Sequence, residues 1–248
     1  MSPRNKFTSK RPIPSHLVLN RRRDNLEKLE GCEPNLLFQD APLLEPGNSK
    51  TGKESKIYQR VLVWNIPAVK TCPGASSWCK SHCYNGDDIL VKYPSQEWAK
   101  NYAYYLNDAD GLKRKLISML QMYEDKIAVR IHSSGDFFSV EYIDFWYSIV
   151  KTAQNANFWA YTRSWSIPYL YPNLEKLRNL ENIQLFASWD KTMPAPPITW
   201  RKSVVYLPED EVEFNGIACP EQSGLLPNCA TCDYCIAKTK GDVYFILH

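Results

Sequence analysis

What the chain lacks narrows the field first. No apolar stretch approaches the roughly 20 residues needed to cross a bilayer. The opening residues MSPRNKFTSKRP carry no apolar signal-peptide core, so a soluble, cytoplasmic protein without membrane contact is expected. Charge of one sign is scarce: 30 basic and 27 acidic residues leave a formal net charge of +3. A cationic nucleic-acid coat is thereby excluded, and any nucleic-acid contact has to be local. No glycine-rich phosphate loop, H-E-x-x-H pair or nucleophile elbow occurs, which leaves nucleotide hydrolysis, zinc proteolysis and serine-hydrolase chemistry unsupported.

What is present is a chain of 248 residues, 44% of them apolar, with 15 Tyr, 8 Trp and 9 Phe. That is enough for one substantial core, which also accounts for the aromatic load better than any single chemistry does. Residues 1–30 carry Arg4, Lys6, Lys10, Arg11, Arg21, Arg22 and Arg23 among prolines and few large apolar groups. They read as a basic arm, either simply solvated or making weak nucleic-acid contact through phosphates. The turn-rich stretch 45–54 (EPGNSKTGKE) reads as a linker. The expected organisation is an extended arm and linker over 1–56 and one α/β metal-binding domain over 57–248.

Within that domain strand and helix patterns alternate. Strands are expected at 60–66, 127–132, 158–162, 183–188 and 203–207; one or two helices at about 95–124; and further helices at 140–153, with Ile143, Trp146, Tyr147 and Val150 on one side, and at 174–180. Such alternation predicts an α/β fold with a parallel sheet, open or curled into a βα partial, TIM-like barrel. The strand ends Asn65, His132 to Asp136, Tyr161 to Ser164 and Ser188 to Asp190 would then form one polar rim.

Seven of the eight cysteines fall into two groups. Cys72, Cys79 and Cys83 follow the first strand in TCPGASSWCKSHCY; Cys219, Cys229, Cys232 and Cys235 make a cysteine-rich C-terminal segment, CPEQSGLLPNCATCDYC. Cys32 stands apart. In a reducing compartment these spacings point to metal rather than disulfides. Zinc and iron–sulfur both accept four thiolates, but a compact triplet with a distant fourth cysteine favours an iron–sulfur cluster, [4Fe-4S], one or two per chain, with zinc as the alternative. Three cysteines on a four-iron cluster leave one iron for a substrate, for water, or for His82, Asp87, Asp88 or Cys32. A purely structural site completed by both groups is the plainer possibility. His132 and Asp136 suit an acid/base pair or a hydrogen-bonded turn, and Arg163 suits either an anion or a pairing with Asp190 or Glu141.

The stretches NIPAVKTCPGASSWCKSHCY, RIHSSGDFFSVEYIDFW, FWAYTRSW and CPEQ with three later cysteines resemble the gene product 88-like domain family of phages and plasmids, from about Trp64 to Cys235. That resemblance implies a metal-bound domain. A three-cysteine loop after a first strand also resembles, more distantly, the radical S-adenosylmethionine enzymes. It implies that Ser134, Gly135, Asp136, Arg163 and Ser188 bind S-adenosylmethionine, that the late cysteines hold an auxiliary cluster, and that an electron donor and a substrate exist, both unknown. The spacing here is C-x6-C-x3-C followed by Tyr84, where that superfamily has C-x3-C-x2-C with an aromatic residue before the last. The other possibility is a non-catalytic metal-stabilised module that binds nucleic acid or a protein.

Overall fold

The alternation becomes one eight-stranded, mostly parallel sheet with helices packed on it. The structure is a computed structural model that describes residues 43–83, 94–210, 213, 215–239 and 241–247; the basic arm, Cys32, Tyr84, Asp87 and Asp88 lie outside the described residues. The strands are β1 (Glu45–Pro46), β2 (Arg60–Trp64), β3 (Ile127–Ile131), β4 (Ala156–Thr162), β5 (Ile183–Trp189), β6 (Arg201–Tyr206), β7 (Gly216–Ala218) and β8 (Asp242–Ile246). Their order is β1-β2-β3-β4-β5-β6-β8-β7, with β1 antiparallel to β2 and every other pairing parallel. The helices are α1 (Ser77–Ser81), α2 (Pro94–Asn107), α3 (Ala109–Gln121), α4 (Val140–Thr152), α5 (Tyr171–Arg178) and α6 (Cys229–Cys232).

Because successive strands lie side by side and parallel crossovers are right-handed, the long helices fall on one face. The period of two along each strand sorts the side chains accordingly. Leu62, Ile127, Val129, Ile131, Phe158, Ala160, Ile183 and Leu185 join the helices in the main core. Val61, Ala128 and Trp159 face the other way, onto Ala230 and Ile236 of the cysteine-rich segment. A strand covered on both sides has to be apolar throughout, and all five residues of β3 are buried. Ser139 caps α4 by accepting from Tyr142 N at 3.2 Å. The buried stripe of α4 is Tyr142, Ile143, Phe145, Trp146, Ile149 and Val150. The expected stripe was displaced by part of a turn, so Tyr147 is only half-buried.

One expectation changes, one is resolved in favour of its second alternative, and one element is new. The expected linker is part of the packed body, which reaches back at least to Leu43: Leu43 and Leu44 are buried and β1 pairs with β2. The expected long helical stretch is two helices, broken at Asp108, which caps α3 by accepting from Gly111 N at 2.8 Å. The C-terminus supplies β8, which enters the sheet between β6 and β7. Among the described pairings none joins β1 to β7, so the observed architecture is an open eight-stranded sheet.

Candidate metal and ligand cavity

A cavity of about 390 Å³ opens on the sheet face opposite the main helices, and all seven cysteines of the two groups line it. So do Ser134, Gly135, Asp136, Arg163 and Ser188, with His132, Ser133 and Tyr161 of the expected rim, while Asn65, Thr162, Ser164, Trp189 and Asp190 do not. A second cavity, about 370 Å³ around Trp189, Lys202 and Tyr244, carries none of these cysteines.

The first group hangs between the ends of β2, β4 and β5. Gly74 lies so close to β4 that an added Cβ would stand 2.2 Å from the Arg163 carbonyl oxygen. Gly135, at φ +88°, leaves room beneath the loop for Ile66 and Thr71. Ser76 caps α1 by accepting from Cys79 N at 3.0 Å and donates to Asp190 Oδ2 at 2.9 Å. Asp190 also takes an ion pair from Arg163 Nη1 and a bond from Thr192 N at 2.9 Å. Burial acts to raise the Asp190 pKa, but bonds from Thr192 and Ser76 and the charge of Arg163 hold it below the usual carboxylate value.

Asp136 braces the floor. Its carboxylate accepts from Thr162 Oγ1 at 2.6 Å, Phe137 N at 2.7 Å and Arg163 N at 2.8 Å. His132 does not share in this; its Nε2 meets the Tyr142 hydroxyl at 2.9 Å, and that hydroxyl accepts from Trp64 Nε1 at 2.8 Å. His132 Nδ1 is buried and makes no hydrogen bond among the described residues. Burial, reinforced by the nearby Arg130 charge, lowers the His132 pKa to about 3. The two residues thus serve separate networks rather than one acid/base pair.

The second group is held by the turn expected to be linker. Cys229 N donates to Lys50 O at 2.8 Å and Ala230 N to Thr51 O at 3.0 Å, while Asn228 caps α6 by accepting from Thr231 N at 2.9 Å. Cys219 N donates to Tyr244 O of β8 at 2.9 Å. Tyr58 donates its hydroxyl to Asp233 at 2.6 Å, fixing the left-handed residue that ends α6.

Among the described residues none of the seven thiols is in a disulfide. Burial pushes Cys72 and Cys79 up, Cys229 up to about 11 against the opposing charges of Arg130 and Lys50, and Cys235 up to about 12. A bare thiol so raised is protonated at neutral pH, and a metal has to displace that proton. Among the described residues no three His, Cys, Asp or Glu groups close around a point as a single metal ion demands. Sequence reasoning passed over Arg130 and Lys50, which line the cavity, and Arg201, whose charge reaches Cys235; Arg130 was legible as a charge inside the apolar run IAVRI.

Residues 37–237 match the family described as Gene product 88. The chain belongs to the Gene product 88 family. Among curated proteins it is similar to the Gene 88 protein of Mycobacterium phage D29, 31% identical over 121 residues, which is 44% of this chain and 49% of that protein. It is also similar to the Gene 88 protein of Mycobacterium phage L5, 30% identical over 132 residues, 48% of this chain and 52% of the relative. The aligned segments span about half the length of these curated relatives. No solved structure matches this Gene product 88 chain.

Proposed function

We propose that this protein binds iron–sulfur clusters through its two cysteine groups and uses the shared cavity for an organic ligand, with S-adenosylmethionine the candidate. The observation that carries this reading is the convergence of all seven cysteines on one cavity. Cys72, Cys79 and Cys83 would hold one cluster, and Cys219, Cys229, Cys232 and Cys235 the other. The donor set fits: thiolates suit soft iron–sulfur centres. Buried or half-buried cations also stand beside both groups, Arg163 near Cys79, and Arg130 with Lys50 near Cys229, as an anionic cluster requires.

When bound, a cluster of this type supplies single electrons. The chain's own part would be to shield that centre and to orient the ligand with Ser134, Arg163 and Ser188. Asp136, already bonded three times, would act by fixing Arg163. The sequential parallel strands, with the first cysteine group just past β2, accord with a βα partial barrel of the radical S-adenosylmethionine type.

The test is anaerobic purification followed by iron, zinc and acid-labile sulfide analysis. Iron and sulfide in equal amounts, and a coloured protein, are expected; a colourless zinc-only preparation overturns the cluster reading. Incubating the reduced protein with S-adenosylmethionine then tests the ligand, and absence of both binding and cleavage removes it.

A further inference from the structure

Resting on that cluster reading, the cavity face of β4 carries one hydroxyl that packing alone does not call for. The period of two along β4 puts Tyr161 on the same face as Trp159, away from the main helices. There it packs with Cys235 in both small apolar patches, one around Ala230 and Ile236, the other around Phe186 and Cys219. Its ring centroid lies 5.3 Å from that of Phe186 and 5.7 Å from that of Phe245, and the Arg130 guanidinium carbon stands 5.5 Å from it. Both Tyr161 and Cys235 line the cavity. The Tyr161 hydroxyl donates to the Cys235 sulfur; burial raises the pKa of both groups, and this bond raises the tyrosine further while it offsets part of the rise at the cysteine.

The neighbouring rings of Phe186 and Phe245 fill this face without a polar tip, and a phenylalanine at 161 would supply the same ring contacts. A buried hydroxyl needs a partner, and a neutral thiol is a weak one. A thiolate is a strong one, because hydrogen bonds to an ionised partner are about twice as strong as neutral ones. The pair is therefore matched to a Cys235 sulfur that has given up its proton, as a metal ligand must. Arg130 adds to this, since its charge stands over the Tyr161 ring and also reaches Cys229. We propose that Tyr161 is a positioning residue for the second cysteine group, its hydroxyl fixing the Cys235 side chain and donating to the sulfur when iron is bound. Such a bond favours the more negative reduced state and raises the reduction potential.

The experiment uses the full chain carrying C72S, C79S and C83S, so that any cluster belongs to the second group. In this parent, Y161F removes the hydroxyl and keeps the ring. It is expected to retain iron and sulfide while its preference for the reduced state falls about tenfold, ~59 mV for a one-electron couple. Y244F removes a different hydroxyl, one that accepts from Asn215 N at 2.9 Å, and is expected to keep the parent's potential. An unchanged potential in Y161F at full iron content overturns the proposal, and so does an equal shift in Y244F, since the loss of any tyrosine hydroxyl would then suffice. Should Y161F take up no iron, unfolding of the metal-free proteins decides. A metal-free Y161F as stable as its parent supports the proposal, because the hydroxyl then serves only the loaded site; one that no longer folds overturns it, because the hydroxyl is then structural. A parent that takes up neither iron nor sulfide overturns the cluster reading and this proposal with it.

Discussion

Gly74 has no space for a side chain, because its Cβ would meet Arg163 O at 2.2 Å and Ser164 N at 2.8 Å, both backbone atoms that cannot swing aside. We predict that Gly74→Ala destabilises the fold by about 1–3 kcal/mol in urea unfolding and lowers metal retention at Cys72, Cys79 and Cys83 while sparing the second group; wild-type stability would show that the loop has another seat. His132 gives a pH-dependent counterpart. Its pKa is lowered to about 3 by burial and by Arg130, against an ordinary 6.5. Between those values the unfolded chain binds a proton that the folded chain refuses. The stabilisation is therefore complete above pH 6.5 and lost as pH falls, with a slope of about 1.4 kcal/mol per pH unit. Between pH 7 and pH 5 the metal-free wild type is predicted to lose about 2 kcal/mol more than His132→Gln. Equal losses in urea unfolding would show that His132 is not buried neutral.

Two short capped helices aim the thiols, and each cap can be removed separately. Ser76→Ala deprives Cys79 N of its acceptor and Asp190 of a donor; Asn228→Ala does the same to Thr231 N at the start of α6. Each is predicted to cost ~0.5–2 kcal/mol and to weaken metal uptake only at its own cysteine group, as measured by metal analysis in chains lacking the other group's cysteines. Uptake falling equally at both groups would count against separate seats. The elements themselves were largely legible in sequence. The buried run of β3 and the Ile143, Trp146 and Val150 part of the α4 stripe follow from local pattern, and the cysteine spacing marked both groups. Other features were not written locally. Glu45–Pro46 becomes a strand only because Leu62 and Val63 lie alongside it. The apolar residues of β8 were visible as a strand signal that was passed over, but its seat between β6 and β7 was not. Likewise nothing near Asp136 announces that Thr162 and Arg163, 26 and 27 positions on, will occupy its carboxylate.

At the scale of the molecule the two faces of the sheet are held by different forces. The helical face buries a continuous apolar core, including Trp64, Trp146 and Phe158. The opposite face is covered by residues 216–239, where the only regular elements are the three residues of β7 and the four of α6. Its attachments include the β7–β8 pairing, the bonds from Cys229 and Ala230 to the turn at Lys50 and Thr51, the Tyr58–Asp233, Arg201–Tyr234 and Gln222–Ile246 bonds, and two small apolar patches, one around Ala230 and Ile236 and one around Cys219 and Phe186. So little buried surface gives low local stability, and a ligand that binds only the folded arrangement raises it by mass action. A cluster joining Cys219 to Cys229, Cys232 and Cys235 would tie the end of β7 to α6 and close the segment on itself. Chelating the metal is therefore predicted to remove amide hydrogen-exchange protection from residues 219–239 and from the turn at 48–52, while β3, β4 and α4 keep theirs. A uniform loss of protection, reaching Val129 and Phe158 together with Cys229, would mean that the metal stabilises the whole fold rather than this cover. Unchanged exchange everywhere would mean that the cover closes without it.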